Sequence, residues 1–461
     1  MPFNFAKQSL RSVPSRLPRL KITAMLMAAA TASLPAHALS LMDAYQAALE
    51  KDPVFQGARF NRAAGEEYET LGRSYLLPNV SASYNQSKND ANRTTTLANG
   101  NQQQDNPQYT SKVTTIQLRQ PLFNLDGWQR YKGSKEQYGY SEAKFAADSQ
   151  DLINRLTTAY LAALLAEDQL RLAIAQRDAY HENQIANQNM FEKGAGTRTD
   201  MLETRARFEV AQAEVLEAQD VVRNRRDELA VIVGGDPGSL DALTGTMPEL
   251  ALTPETLPEW EAMATANNPD VRALRHSVEY ARTEVERNRA GHYPRVDLIA
   301  SHSRNTADSL FTYNQESNIN TIGVQLTLPI YSGGSVTAQT RQAAARLGSG
   351  QAEYDASLRK TLVEVRKQFQ LVHSGRIRMA AMEQAVRSAA EAVEATRKSV
   401  AGGQRVNLDV LTALQQLYTS RRDLSDARHG YLLAFLRLHA AAGALNGDDI
   451  GKIAGCFEAR P

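Results

Sequence analysis

A single cysteine, Cys456, in 461 residues rules out an internal disulfide, so this chain is held by packing and assembly. Glycine and proline are sparse and clustered, which leaves long uninterrupted stretches for helix. After the N-terminal 38 residues, no run approaches the roughly 18 apolar residues of a membrane-crossing helix, and that excludes an inner-membrane helix bundle. Catalytic and cofactor signatures are missing as well. The eight histidines form no His-Glu-x-x-His pattern and have no cysteine partners at metal spacing, so His276, His292 and His302 read as polar surface or belt residues. Gly194-Ala195-Gly196 follows a helical stretch and is no phosphate loop, while Gly333-Gly334 reads as a strand-to-helix turn. No nucleophile, base and orienter are placed together. The reading is therefore of a protein that is not an enzyme and uses no cofactor or metal.

What is present begins with an export signal. Lys7, Arg11, Arg16, Arg19 and Lys21 precede a small and apolar run from Ile22 to Leu34 and then Ala36-His37-Ala38, a secretory signal cleaved after residue 38. No cysteine follows the cleavage site to carry a lipid. Removing five basic residues leaves 47 basic against 51 acidic side chains, a mild acidity that predicts no nucleic-acid partner.

Helical seams fill most of the mature chain. Leu152, Leu156, Ala159, Ala163, Ala166, Leu170 and Ala173 follow steps of four and three inside a proline-free stretch from Leu125 to Met190, a helix on the order of 100 Å long. Phe208, Ala211, Val215, Ala218, Val222, Leu229 and Ile232 repeat the stepping, as do Met379, Met382, Val386, Ala389, Val393, Thr396 and Val400. Small residues at these positions let helices approach closely.

The chain is also duplicated. Pro53 aligns with Pro269 and Pro78 with Pro294 at one offset of 216, RQPLF (119–123) meets TLPIY (327–331), and GAGTRTDML (194–202) meets GQRVNLDVL (403–411). Each copy reads helix, strand, strand, long helix, break, helix. This gives a signal at 1–38, a first repeat at 39–233, an intervening segment at 234–260 broken by Gly, Pro and Asp, a second repeat at 261–445 and a tail at 446–461.

Four short strands alternate in polarity. Val80, Ala82 and Tyr84 oppose Ser81, Ser83 and Asn85; Ile116 and Leu118 oppose Thr115, Gln117 and Arg119; Val296, Leu298 and Ala300 oppose Asp297 and Ser301; and Ile322, Val324, Leu326 and Leu328 oppose Gly323, Gln325 and Thr327. Polar connections from about Lys88 to Pro107 and from about Arg304 to Asn320 predict exposed loops. Strands of about 9–11 residues with one apolar face suit a membrane barrel. Four strands cannot close one, and an open edge cannot sit in lipid, so several chains must pool their hairpins.

QPLFNLDGWQRYKGSK (120–135), LPIYSGGSVTAQTRQA (328–343) and the duplicated helix breaks resemble the TolC family of outer-membrane channel-tunnels over nearly all of the mature chain. The resemblance implies a mainly α fold with a small β part: a homotrimer whose hairpins form a twelve-stranded barrel in outer-membrane lipid and whose helices form a twelve-helix periplasmic tunnel. The segment 234–260 and the C-terminal tail are candidates for its equatorial belt. It further implies partners, a periplasmic membrane-fusion adaptor and an inner-membrane ABC transporter or other efflux pump.

The same resemblance puts both breaks at the periplasmic tip. Arg405 matches the family's gate arginine, Thr199 and Asp200 its partners, and Asp409 one of two ring aspartates at the constriction. Thr412 stands at the second ring position and Val400 at the gate tyrosine. Gly194, Gly196, Gly402 and Gly403 permit the breaks. A plainer alternative is helix capping: Asp200 has capping-box spacing to Glu203, and Asn407 is a candidate cap for the last long helix. Arg405 has no such duty where a helix starts. Three functions remain: a passive exit duct for type I protein secretion, the same duct serving a multidrug or small-molecule efflux pump, and a structural periplasmic coiled coil, which leaves the strands unexplained.

Overall fold

The computed structural model describes residues 38–244, 247–248, 250–307 and 315–458; of the expected signal at 1–38, residues 1–37 lie outside the described residues. Two copies of one unit follow each other. The first runs α1 (Leu41–Lys51), α2 (Pro53–Ser74), β1 (Asn79–Asp90), β2 (Arg93–Thr96), β3 (Gln102–Asp105), β4 (Gln108–Phe123), α3 (Leu125–Glu192) and α4 (Arg198–Val233). After β5 (Ala242–Leu243) the second runs α5 (Leu257–Asn267), α6 (Pro269–Arg289), β6 (Arg295–Ala307), β7 (Glu316–Thr327), α7 (Ser335–Ala401) and α8 (Asn407–Ala441), and the chain ends with α9 (Gly447–Ala454) and β8 (Phe457–Glu458). The long helices have 68 and 67 residues and the helices after the breaks 36 and 35, so the duplication is preserved almost residue for residue. At 1.5 Å per residue, α3 and α7 are each about 100 Å long.

Both copies start their second helix the same way. Asp52 accepts from the Phe55 amide at 3.0 Å and Asn268 from the Val271 amide at 3.1 Å, each followed by proline in the first helical position, where a missing N–H costs nothing. The two caps differ in their further partners. The Asp52 carboxylate meets Arg155 of α3 at 2.8 Å, whereas the Asn268 amide donates to the Ala441 carbonyl at the end of α8, at 2.9 Å. A glycine with positive φ closes the joint in each copy, Gly234 (φ 76°) after α4 and Gly443 (φ 71°) after α8. A Cβ on Gly443 would lie 2.5 Å from the Asn267 backbone, and one on Gly234 would lie 2.6 Å from the Lys51 side chain. Shorter helices are thereby stacked end to end, α4 towards α1–α2 and α8 towards α5–α6, alongside the unbroken α3 and α7.

The sheet is antiparallel in the order β1-β4-β6-β7, with β1 and β7 as unpaired edges. Its register puts Val80, Leu118, Ala300 and Ile322 in one row, and the even-numbered residues of β1, β4 and β6 share that face. Ile322 is 79% exposed, and Val80, Val324 and Leu326 are exposed with it. The opposite face is polar and more enclosed: Ser87 bonds Ser111, and Thr115 bonds Ser303. Near its base the buried Asp297 carboxylate sits between Arg295 at 3.0 Å and Arg119 at 3.3 Å, where β4 is bulged at Pro121/Phe123.

The polar connections are shorter than the sequence suggests. β1 continues to Asp90, and β2 and β3 form a ribbon clasped by an Arg93–Asp105 ion pair, so most of 88–107 is strand. Cross-strand polar pairing supplies there the order that the lack of apolar residues concealed. In the second copy, strand reaches Ala307 and resumes at Glu316, while 308–314 lie outside the described residues.

Two apolar cores lie along the helices. The larger, beside the middle of α3, gathers Leu41, Leu152, Leu156, Tyr160, Leu164, Leu229, Trp260, Phe435 and Ile450. The intervening segment and the tail converge here: β5 pairs with β8, Leu240 bridges to Leu39, and Tyr160 donates to the Leu39 carbonyl at 2.8 Å. His439 lies between Trp260 and Phe435, with ring centroids at 5.1 and 4.3 Å, and burial pushes its pKa down. The smaller core, Tyr180, Ala211, Val393, Val410, Leu414 and Tyr418, lies towards the breaks.

Replacing Gly443 by Ala should cost more than the roughly 1–2 kcal/mol of a left-handed residue, because its Cβ would also strike backbone. Gly403→Ala, where a Cβ meets open space, should cost only that conformational term; thermal unfolding of the two variants by circular dichroism checks the order.

Candidate functional site

The long helices leave the sheet at Leu125 and Ser335 and end at Glu192 and Ala401, so both breaks lie at the end of the molecule remote from the sheet. Each break is a tight reversal. In the first, the Ala195 and Gly196 amides donate to the Met190 carbonyl at 2.9 and 3.1 Å; in the second, Gly403 donates to Val400 and Gln404 to Ser399, both at 2.9 Å. Gly194 (φ 72°) and Gly403 (φ 71°) occupy the left-handed region that favours glycine. Gly196 is needed for a different reason, since a Cβ there would come within 3.0 Å of the Phe191 nitrogen. Gly402 has an ordinary φ of −82° and no such requirement.

The two breaks then diverge. Thr197 is the N-cap of α4: its hydroxyl accepts from the Asp200 amide at 3.1 Å and donates to the Asp200 carboxylate at 2.6 Å. Asp200 thus partners Thr197 three residues before it; the expected capping box with Glu203 is not formed. The corresponding N-cap of α8 is Val406, which has no side-chain acceptor, and the Asp409 amide turns to the Val406 carbonyl at 3.1 Å. Asn407, expected as the cap, is instead the first helical residue, and its Nδ2 is buried without a partner. The cap thus stands at the same place in both copies, and valine in place of threonine removes its hydroxyl.

Charge at the two breaks differs accordingly. Among the described residues, the Asp409 side chain makes no hydrogen bond or ion pair, and the helix N-terminus favours its charge. Arg405 is exposed and likewise makes no hydrogen bond or ion pair with a described residue. It occupies the position of Gly196 in the other break, so a cation stands where the first copy needs no side chain. Thr199 is exposed, and Thr412, one turn beyond Asp409, donates its hydroxyl to the Leu408 carbonyl at 2.9 Å. Within one chain Arg405 does not pair with Asp200 or Thr199.

Ties between the helix pairs went unnoticed in the sequence. The Tyr418 hydroxyl of α8 donates to the Ala175 carbonyl of α3 at 2.9 Å, and Arg207 of α4 reaches Gln415 of α8 at 3.2 Å. Both couple the first break's helices to the second's. Their only sequence signal is a tyrosine and an arginine beside aliphatic seams. Among the described residues, no group of three His, Cys, Asp or Glu side chains is placed to hold a metal ion.

A profile of the outer membrane efflux protein family matches residues 44–235 and 260–444. The chain is 42% identical over 424 residues to the alkaline protease secretion protein AprF of Pseudomonas aeruginosa, covering 92% of this chain and 88% of that one. It is 38% identical over 435 residues to the proteases secretion protein PrtF of Dickeya chrysanthemi, covering 92% and 93%. Its fold matches the crystal structure of the outer membrane protein VceC of Vibrio cholerae with a TM-score of 0.74 at 20% identity, over 87% of this chain and 96% of the other.

Restoring a hydroxyl with Val406→Thr should stabilise the start of α8 by about 1 kcal/mol. Hydrogen exchange in the first turn of α8 should slow about fivefold at that energy, and unchanged exchange would show that the cap does not re-form.

Proposed function

The chain belongs to the outer membrane efflux protein family, and from that premise we propose that it is the passive exit duct of a tripartite system for type I protein secretion. The observation that carries this is a four-stranded sheet, apolar outside and open at both edges, joined to helices about 100 Å long. Three chains pool their strands into a barrel in the outer membrane, and their helices continue it through the periplasm. An inner-membrane ABC transporter supplies energy and a membrane-fusion adaptor joins the two. The 42% and 38% identity to two protease secretion proteins supports protein cargo, with secreted proteases as its class. Small-molecule efflux is the second reading, supported by a family description that names efflux. Deleting the gene should abolish protease export while leaving drug susceptibility unchanged; the reverse pattern would select the efflux reading.

The breaks form the gate of this duct. Arg405 of one chain meets Asp200 and Thr199 of the next, a pairing supported by its making no ion pair with a described residue of its own chain. Exposed ion pairs contribute about 0.2–1 kcal/mol each. Three symmetric copies hold the closed state by about 0.6–3 kcal/mol, roughly a three- to 150-fold bias that docking of an adaptor can overcome. Arg405→Ser should therefore raise single-channel conductance in planar bilayers, and unchanged conductance would remove the latch.

Asp409 supplies one ring of three carboxylates at the constriction, and Thr412 leaves the second ring uncharged. Ringed carboxylates attract cations at close quarters. Asp409→Ala should abolish block by divalent cations, while block that persists in this variant would assign the binding elsewhere.

A further inference from the structure

The strand register carries the outward face beyond its apolar band. Above the row of Val80, Leu118, Ala300 and Ile322 lies Ala82–Ile116–His302–Asn320, and beyond it the even-numbered residues become polar and cationic. Lys88 stands opposite Thr110, Lys112 opposite Gln86 and Thr306, and Arg304 opposite Thr114. Lys88 and Lys112 are therefore diagonal neighbours, as are Lys112 and Arg304, at separations of about 7–8 Å. Two carboxylates share this face. Glu316 pairs with Arg304, and Asp90 accepts from Gln108 at 3.2 Å. Lys88 and Lys112 are exposed and form no ion pair with a described residue.

The level of this cluster identifies what it meets. Helices leave the sheet at its opposite end, and with those helices in the periplasm, as proposed above, the hairpin end is the outward one. A lysine at the edge of an apolar band keeps its stem on the hydrocarbon and its ammonium at the headgroup level. Two such ammonium groups side by side repel each other unless an anion lies between them, and a phosphate monoester satisfies both.

We propose that Lys88 and Lys112, flanked by Arg304, bind the phosphate groups of a phosphorylated glycolipid in the outer leaflet. The site rests on the reading of the even-numbered face as lipid-facing. It anchors the outer rim of the barrel at a fixed depth and sets each hairpin against the lipid head groups.

Native mass spectrometry of the full-length assembly in detergent, titrated with bisphosphorylated lipid A and with its dephosphorylated form, tests the site. Wild type should retain the phosphorylated form preferentially, and Lys88→Gln/Lys112→Gln should weaken it about fivefold per lysine. Equal affinity of wild type and variant, or equal retention of both lipids by wild type, would overturn the site. Conductance in bilayers of phospholipid alone separates this from the wider reading. Both proteins should conduct, whereas a wild type that inserts nowhere would overturn the membrane assignment and the lipid site together.

Discussion

Two unpaired strand edges in a sheet that is apolar outside govern the rest of this molecule. In lipid, the backbone groups of β1 and β7 have no water to bond, and each unsatisfied group costs several kcal/mol. The four strands of one chain are too few to curl back and pair those edges, since barrels of about eight strands are the smallest known. Edge satisfaction therefore has to come from other chains. Once it does, the helices that continue the strands are brought into a ring, and their breaks are gathered at the far end.

Duplication makes such a ring smooth, because both halves of the chain contribute a hairpin and a helix pair of nearly the same length. The stacked joints at Gly234 and Gly443 let short helices follow the course of the unbroken ones beside them. The copies differ at their breaks. Thr197 gives way to Val406, which frees a carboxylate at Asp409, and Gly196 gives way to Arg405, which adds a cation. In the first break Asp200 is bonded to Thr197 of its own chain; in the second, Asp409 and Arg405 make no hydrogen bond or ion pair with a described residue.

Much of this was legible because it is periodic. Steps of three and four marked the helices, alternation marked four strands, and Pro53 with Pro269 marked the repeat. Capping was less legible, since a cap depends on where the helix axis begins: Asp200 serves Thr197 before it and not Glu203 after it, and Asn407 misses its duty by one residue. The β2–β3 ribbon escaped because it has no apolar face, only cross-strand polar pairs. His439 gave no sign of burial, which comes from Trp260 and Phe435 closing on it from elements far apart in sequence. The closeness of Gly443 to Asn267 is likewise a tertiary fact.

Hydrogen exchange of the unheated protein, resolved to single strands, tests edge pairing between chains most directly. Amides of β1 and β7 should be protected as well as those of β4 and β6, and should lose that protection together when heating separates the chains. Edge strands that exchange within seconds while the inner strands stay protected would contradict the account.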